Sequence, residues 1–152
     1  MSAIVGIDFG ATTLRAVVRR RGADATCHVV PFDPARPADA VTALRALAPE
    51  ATRATIAVGL AHLHVKAVAL PPLDAAARRA VLRTEPERFF AIEPGTPVAV
   101  THLADAGLAL AAEARALAAW CEAVAAWVPV VRVEAAPLSL AAALAAGGVA
   151  DA

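Results

Sequence analysis

Short apolar runs rich in β-branched residues alternate along this chain with alanine-rich stretches of helical spacing. Ala3 to Phe9 is apolar at almost every position and closes at Gly10, which predicts a buried strand, central in a sheet, rather than a helix. After the turn Gly10 to Thr13, the run Leu14-Arg15-Ala16-Val17-Val18-Arg19 predicts a second strand. Arg20-Arg21-Gly22 ends it with charge and a flexible residue, so the two strands make a hairpin. Ala25 to Phe32 predicts a third strand. A proline-rich loop follows, and Ala38 to Ala48 then sets Val41, Leu44, Leu47 and Ala48 at helical spacing before Pro49. Thr55 to Gly59 predicts a further buried strand.

From His62 the residues Leu63, Val65, Ala67 and Ala69 alternate as one face of a half-buried strand, which Pro71-Pro72 must stop. Asp74 suits the N-cap of a helix running to about Glu85, with Ala77, Ala80, Val81 and Thr84 inward and Pro86 ending or kinking it before Phe89-Phe90. Pro97 to Leu103 and Gly107 to Ala111 predict two strands around the Asp105-Ala106-Gly107 turn. Ala112 to Trp127 is the clearest helix, with Leu117, Trp120, Val124 and Trp127 on one face and Pro129 closing it. Val130 to Val133 predicts a last strand, and Pro137 opens a helix carrying Leu138, Leu140 and Leu144 that ends at Gly147-Gly148. The strands near residues 3–9, 14–20, 25–32, 55–59 and 130–134 are expected in one sheet, which makes the fold class α/β.

Composition narrows the function classes. A chain of 152 residues predicts one domain, with or without an inserted lobe, large enough to build its core without metal or disulfide staples. The 14 basic residues balance the 14 acidic ones, so no nucleic acid or acidic membrane is expected to be held by bulk charge. Cys27 and Cys121 in a chain with no signal-peptide pattern read as reduced thiols and a cytoplasmic address. The longest charge-free stretch, Ala135 to Ala150, contains Pro137 and Gly147-Gly148 and falls short of the roughly 18–20 apolar residues of a spanning helix, so direct membrane insertion is not expected. His62 and His64, two apart on the expected strand, would share a face but lack a third ligand, and they read as solvent-facing. Arg19-Arg20-Arg21 reads as a solvated turn, and Trp120 and Trp127 as core packing.

The segment from Ile4 to Arg15 carries the chemistry. It places the Asp8 carboxylate at the end of a buried strand, then a turn of Gly10, Ala11, Thr12 and Thr13, then the Arg15 cation on the next strand. Such a turn can cradle phosphate oxygens with its backbone N–H groups, while Asp8 holds a hydrated Mg²⁺ and Arg15 neutralises terminal phosphates. An ordinary hairpin with an Asp-x-Gly turn has the same spacing, and the residues alone leave both readings open. No G-x-x-x-x-G-K-[ST] run is present, which excludes a P-loop enzyme.

Asp8, Gly10 and Arg15 resemble the first phosphate motif of the actin, heat-shock chaperone and sugar-kinase superfamily, Asp-x-Gly-[Ser/Thr]-x-x-x-[Lys/Arg], with Ala11 where that motif has a hydroxyl. Val58-Gly59, the run Val65-Lys66-Ala67-Val68-Ala69-Leu70-Pro71 and Glu85-Pro86-Glu87-Arg88-Phe89-Phe90 resemble segments of PilM-type type IV pilus assembly proteins. So does Val133-Glu134-Ala135-Ala136-Pro137-Leu138-Ser139-Leu140-Ala141. Pro86 and the missing proline after Phe90 depart from that pattern. The resemblance implies an actin-like (RNase H-like) half-fold, as in FtsA. Residues 1–60 and 112–152 would form the first-lobe core, and residues 61–111 an inserted strand-helix-strand-strand subdomain. It also implies a cytoplasmic scaffold, peripheral to the inner membrane, that docks the cytoplasmic tail of a PilN-like membrane protein, with the groove between the insert's first strand, around Leu63 to Leu70, and the main sheet expected to accept an extended or short helical peptide.

The same resemblance implies a partial ATP and Mg site of weak or no affinity, at Gly10, Ala11, Thr12, Thr13 and Arg15 with Asp8 on the metal through water. Family members continue past the segment that Leu138 to Ala146 resembles: if these 152 residues are the whole product, half a nucleotide cleft and no competent ATPase are expected, and if they are a fragment, the remainder is where the catalytic parts are expected. The first lobe of a sugar-kinase-like phosphotransferase and a GspL-like type II secretion platform protein are the alternatives these residues leave open.

Overall fold

The computed structural model describes residues 3–147, with side chains described as far as Ala142. Within that range the strands are β1 (Ala3–Phe9), β2 (Thr13–Arg20), β3 (Thr26–Pro31), β4 (Ala51–Val58), β5 (His64–Ala67), β6 (Val98–Leu103), β7 (Leu108–Glu113) and β8 (Val130–Ala135). The helices are α1 (Pro37–Leu47), α2 (Ala75–Thr84), α3 (Ala114–Ala125) and α4 (Ala136–Gly147). The chain divides into two compact units, Met1–Ala61 with Ala119–Ala152, and His62–Ala118. The expected helix stop at Gly148 and the side chain of Leu144 lie outside the described residues.

The first unit is built on a five-stranded sheet of order β3-β2-β1-β4-β8. Tight turns join β1 to β2 and β2 to β3, so those pairs are antiparallel, whereas β1, β4 and β8 run parallel and are reached by long crossovers. Burial alternates along β1, with Ala3, Val5, Ile7 and Phe9 fully inside. Leu14, Ala16 and Val18 of β2 and Ala54, Ile56 and Val58 of β4 continue the same apolar layer. Phe9 stacks on Trp120 of α3 with ring centroids 5.1 Å apart, and Phe32 meets both rings edge-on. The Trp120 indole N–H donates to the Pro34 carbonyl at 3.2 Å, which satisfies the one polar atom of a buried ring. β4 begins at Ala51, four residues before the apolar pattern suggests, because Ala51 and Arg53 pair with Ala3 and Ile4 of β1 across a register shift at Thr52, whose Oγ1 donates to the Ala3 carbonyl.

The second unit holds an antiparallel sheet of order β5-β7-β6 with its own core of Val68, Leu82, Phe90, Val98, Ala109 and Ala111. Two expected faces are corrected here. Strand β5 covers only His64–Ala67, Leu60–His62 forms a single 3₁₀ turn, and so His62 and His64 do not share a strand. Val65 is 47% exposed, while Val68 is buried and its N–H donates to the Gly107 carbonyl. On α2 the buried residue is Leu82, with Ala80, Val81 and Thr84 exposed. A leucine removes more apolar area from water than an alanine or valine, so its position decides which way the helix turns. Asp74 caps the helix as expected, its carboxylate accepting from the Ala77 N–H at 2.7 Å, and Pro86 starts a separate 3₁₀ turn that delivers buried Phe90.

Candidate functional site

In the first unit the carboxyl ends of parallel strands β1 and β4 meet the start of α4 around a cleft of about 650 Å³. Open sheets with parallel strands place ligand sites at such ends, where loops diverge and backbone groups are left uncommitted. Backbone contact closes its floor. The Gly59 N–H donates to the Phe9 carbonyl at 3.0 Å, and a Cβ at Gly59 would lie 2.6 Å from that oxygen and 3.4 Å from Gly10 Cα. The Gly10 N–H donates to the Thr13 carbonyl at 3.0 Å, and a Cβ at Gly10 would stand 2.9 Å from the same oxygen. Only glycine permits these approaches without displacement of the backbone.

Strand register places the charged groups. Asp8 pairs with Arg15 on β2 and with Ala57 on β4, and Ala57 pairs with Glu134 on β8, so Arg15, Asp8 and Glu134 lie in one row on one sheet face. Glu134 is engaged, forming an ion pair with Arg132 at 2.6 Å and accepting the Ser139 hydroxyl. Asp8 differs: its Oδ1 is buried without a hydrogen-bond partner, and among the described residues no ion pair joins it to Arg15. A buried carboxylate oxygen left unpaired is costly and marks a place where a cation or a water is wanted. Among the described residues there is no group of three His, Cys, Asp or Glu side chains placed to hold a metal ion directly.

Of the residues singled out in the sequence, Asp8, Gly10, Ala11 and Arg15 line the cleft, and Thr12 and Thr13 do not. The Thr12 carbonyl accepts from the Phe32 N–H at 2.9 Å, tying the turn back to the end of β3. Gly59, Leu60, Ala61, Pro137, Ser139 and Leu140 line the cleft without having been assigned to it from sequence. Leu60 and Leu140 are 64% and 62% exposed, which gives the opening an apolar rim.

No family model matches the chain, and no curated protein matches it. Among solved structures it is similar to a chain of the PilM-PilN type IV pilus biogenesis complex, with a TM-score of 0.69 and 20% identity over 95% of this chain and 50% of that one. It is also similar to the cytoplasmic domain of EpsL, an inner membrane component of the type II secretion system of Vibrio cholerae. There the TM-score is 0.64 at 13% identity over 88% of this chain and 57% of that one. The chain thus spans about half the length of these two structures. Its α/β architecture is the actin-like half-fold expected from the sequence, the fold it shares with these pilus and secretion proteins.

Proposed function

We propose that the chain is a scaffold of an inner-membrane assembly platform of the type IV pilus, which holds the cytoplasmic tail of a PilN-like membrane partner. The observation that carries this reading is the shared fold over 95% of the chain with a component of a PilM-PilN complex. Among the described residues no helix is long and apolar enough to cross a membrane, which is consistent with attachment through a partner. The likeness to EpsL favours a type II secretion platform as the second reading. Immobilised tail peptides of the PilN-like protein and of its type II counterpart, incubated with the chain at low salt, separate the two. Retention on the pilus bait supports the first reading, retention on the secretion bait alone supports the second, and retention on neither sinks both.

A nucleotide belongs to the same proposal as a weak ligand. Asp8 would hold a hydrated Mg²⁺ and Arg15 would face the phosphates, while Ala11 supplies no hydroxyl and the Gly10 N–H is committed within its own turn. Calorimetry with Mg-ATP is expected to give binding weaker than micromolar, and Asp8→Ala is expected to remove its metal-dependent part. Micromolar binding that ignores Asp8→Ala would place the nucleotide elsewhere.

A further inference from the structure

At the other end of the same sheet, beside the start of β1, lies a second concavity of about 1040 Å³ formed by the β2-β3 turn and the adjoining strands. Ile4 pairs with Arg19 on β2 and with Arg53 on β4, which puts both arginines on one face with half-buried Ile4 between them. Two strand spacings separate Arg19 from Arg53, about 10 Å. Arg21 continues past the end of β2, and Asp24 stands on the lining. Arg20 also lines the concavity, but its guanidinium is engaged in an ion pair with Glu50. Among the described residues Arg19, Arg21 and Arg53 have no ion-pair partner, although the chain as a whole carries formal net charge zero.

We infer that this arginine-lined groove is a docking site for an acidic, extended peptide segment of a partner protein. Guanidinium groups pair with carboxylates through two parallel N–H donors, and three of them gathered on one groove repel one another until an anion is seated. Spacing selects the peptide. In the polyproline II form of an extended chain, with three residues per turn and a rise of about 3.1 Å, side chains three residues apart share one face about 9 Å from each other, close to the separation of Arg19 and Arg53. The Ile4 floor offers apolar contact to the hydrocarbon stems of the acidic side chains. Concavity and the Asp24 carboxylate disfavour a flat, densely anionic lipid surface. The groove is distinct from the cleft at Asp8, and the inference does not depend on the platform reading.

The probe is a short fluorescein-labelled peptide with two glutamates three residues apart around a leucine, followed by anisotropy on the whole chain. Its glutamine analogue, inorganic phosphate and vesicles of phosphatidylglycerol are run beside it. The glutamate peptide is expected to bind and its analogue not. The double variant Arg19→Ala/Arg53→Ala should weaken binding about tenfold, the sum of several exposed charge contacts. Arg45→Ala, on α1 and outside the groove, should leave it unchanged. If the double variant fails to fold, Arg19→Lys/Arg53→Lys keeps the charge but loses the forked geometry and is expected to give a smaller loss. Equal binding of the glutamine analogue, unchanged affinity in the arginine variants, or binding of phosphate or vesicles without the glutamate peptide would each overturn the inference.

Discussion

At Gly59 a single hydrogen atom separates two segments that the fold presses together. A methyl group there would sit 2.6 Å from the Phe9 carbonyl oxygen, a backbone atom that moves only if β1 moves with it. Gly59→Ala is therefore expected to destabilise the chain by about 1–3 kcal/mol, the range for overpacking a close-packed site, read as a lower urea midpoint. An unchanged midpoint would mean that the Phe9-Gly10 turn yields freely. The two thiols make a second test. Burial, and then the neighbouring Glu122 carboxylate, raise the Cys121 thiol above its ordinary value, while Cys27 lies exposed on β3. Less thiolate is present at Cys121 at a given pH, so iodoacetamide at pH 8 should label Cys27 first and Cys121 should catch up only as the pH rises. Equal labelling by mass spectrometry at pH 8 would contradict this. That Asp8, Gly10 and Arg15 lie on one cleft is legible from sequence because their spacing is set within one hairpin. The place of Gly59 is not, because the atom it must avoid belongs to a strand distant in the chain.

The elements were legible where large side chains carried the pattern and blurred where alanine did. Trp120 and Val124 mark the buried side of α3, but the alanines before them cannot say where β7 ends, and the strand runs on to Glu113. In α2 the four residues expected to face inward are small or polar, and Leu82 overrides them. What held there was the cap, since a carboxylate that accepts the Ala77 N–H needs no tertiary context. Asp74→Ala is expected to cost about 1 kcal/mol and to speed amide exchange in the first turn of α2. Unaltered exchange would show that packing of Leu82 alone fixes the helix start. The row Arg15, Asp8, Ala57, Glu134 needed the register of four strands, three of them parallel, and no local pattern in the sequence states that register.

On the scale of the whole molecule, the balance of charge conceals local asymmetry. The zero net charge argues against a partner held by bulk charge, yet it says nothing of Arg19, Arg21 and Arg53 gathered at one end of a sheet without ion-pair partners among the described residues. The two proposed partners should therefore respond to salt in opposite ways. A tail held by shape and apolar contact loses little when ions screen the surface, because removing apolar area from water does not depend on ionic strength in that range. A glutamate peptide at Arg19 and Arg53 depends on attraction between exposed charges, and screening shortens from about 10 Å at 0.1 M salt to about 3 Å at 1 M. Titrating both ligands against the same chain from low to high salt is expected to leave the tail within a few-fold of its starting affinity while the acidic peptide's binding falls away. A collapse of tail binding would mean that charge rather than shape selects it, and an acidic peptide indifferent to salt would mean that the Ile4 floor, not the arginines, holds it.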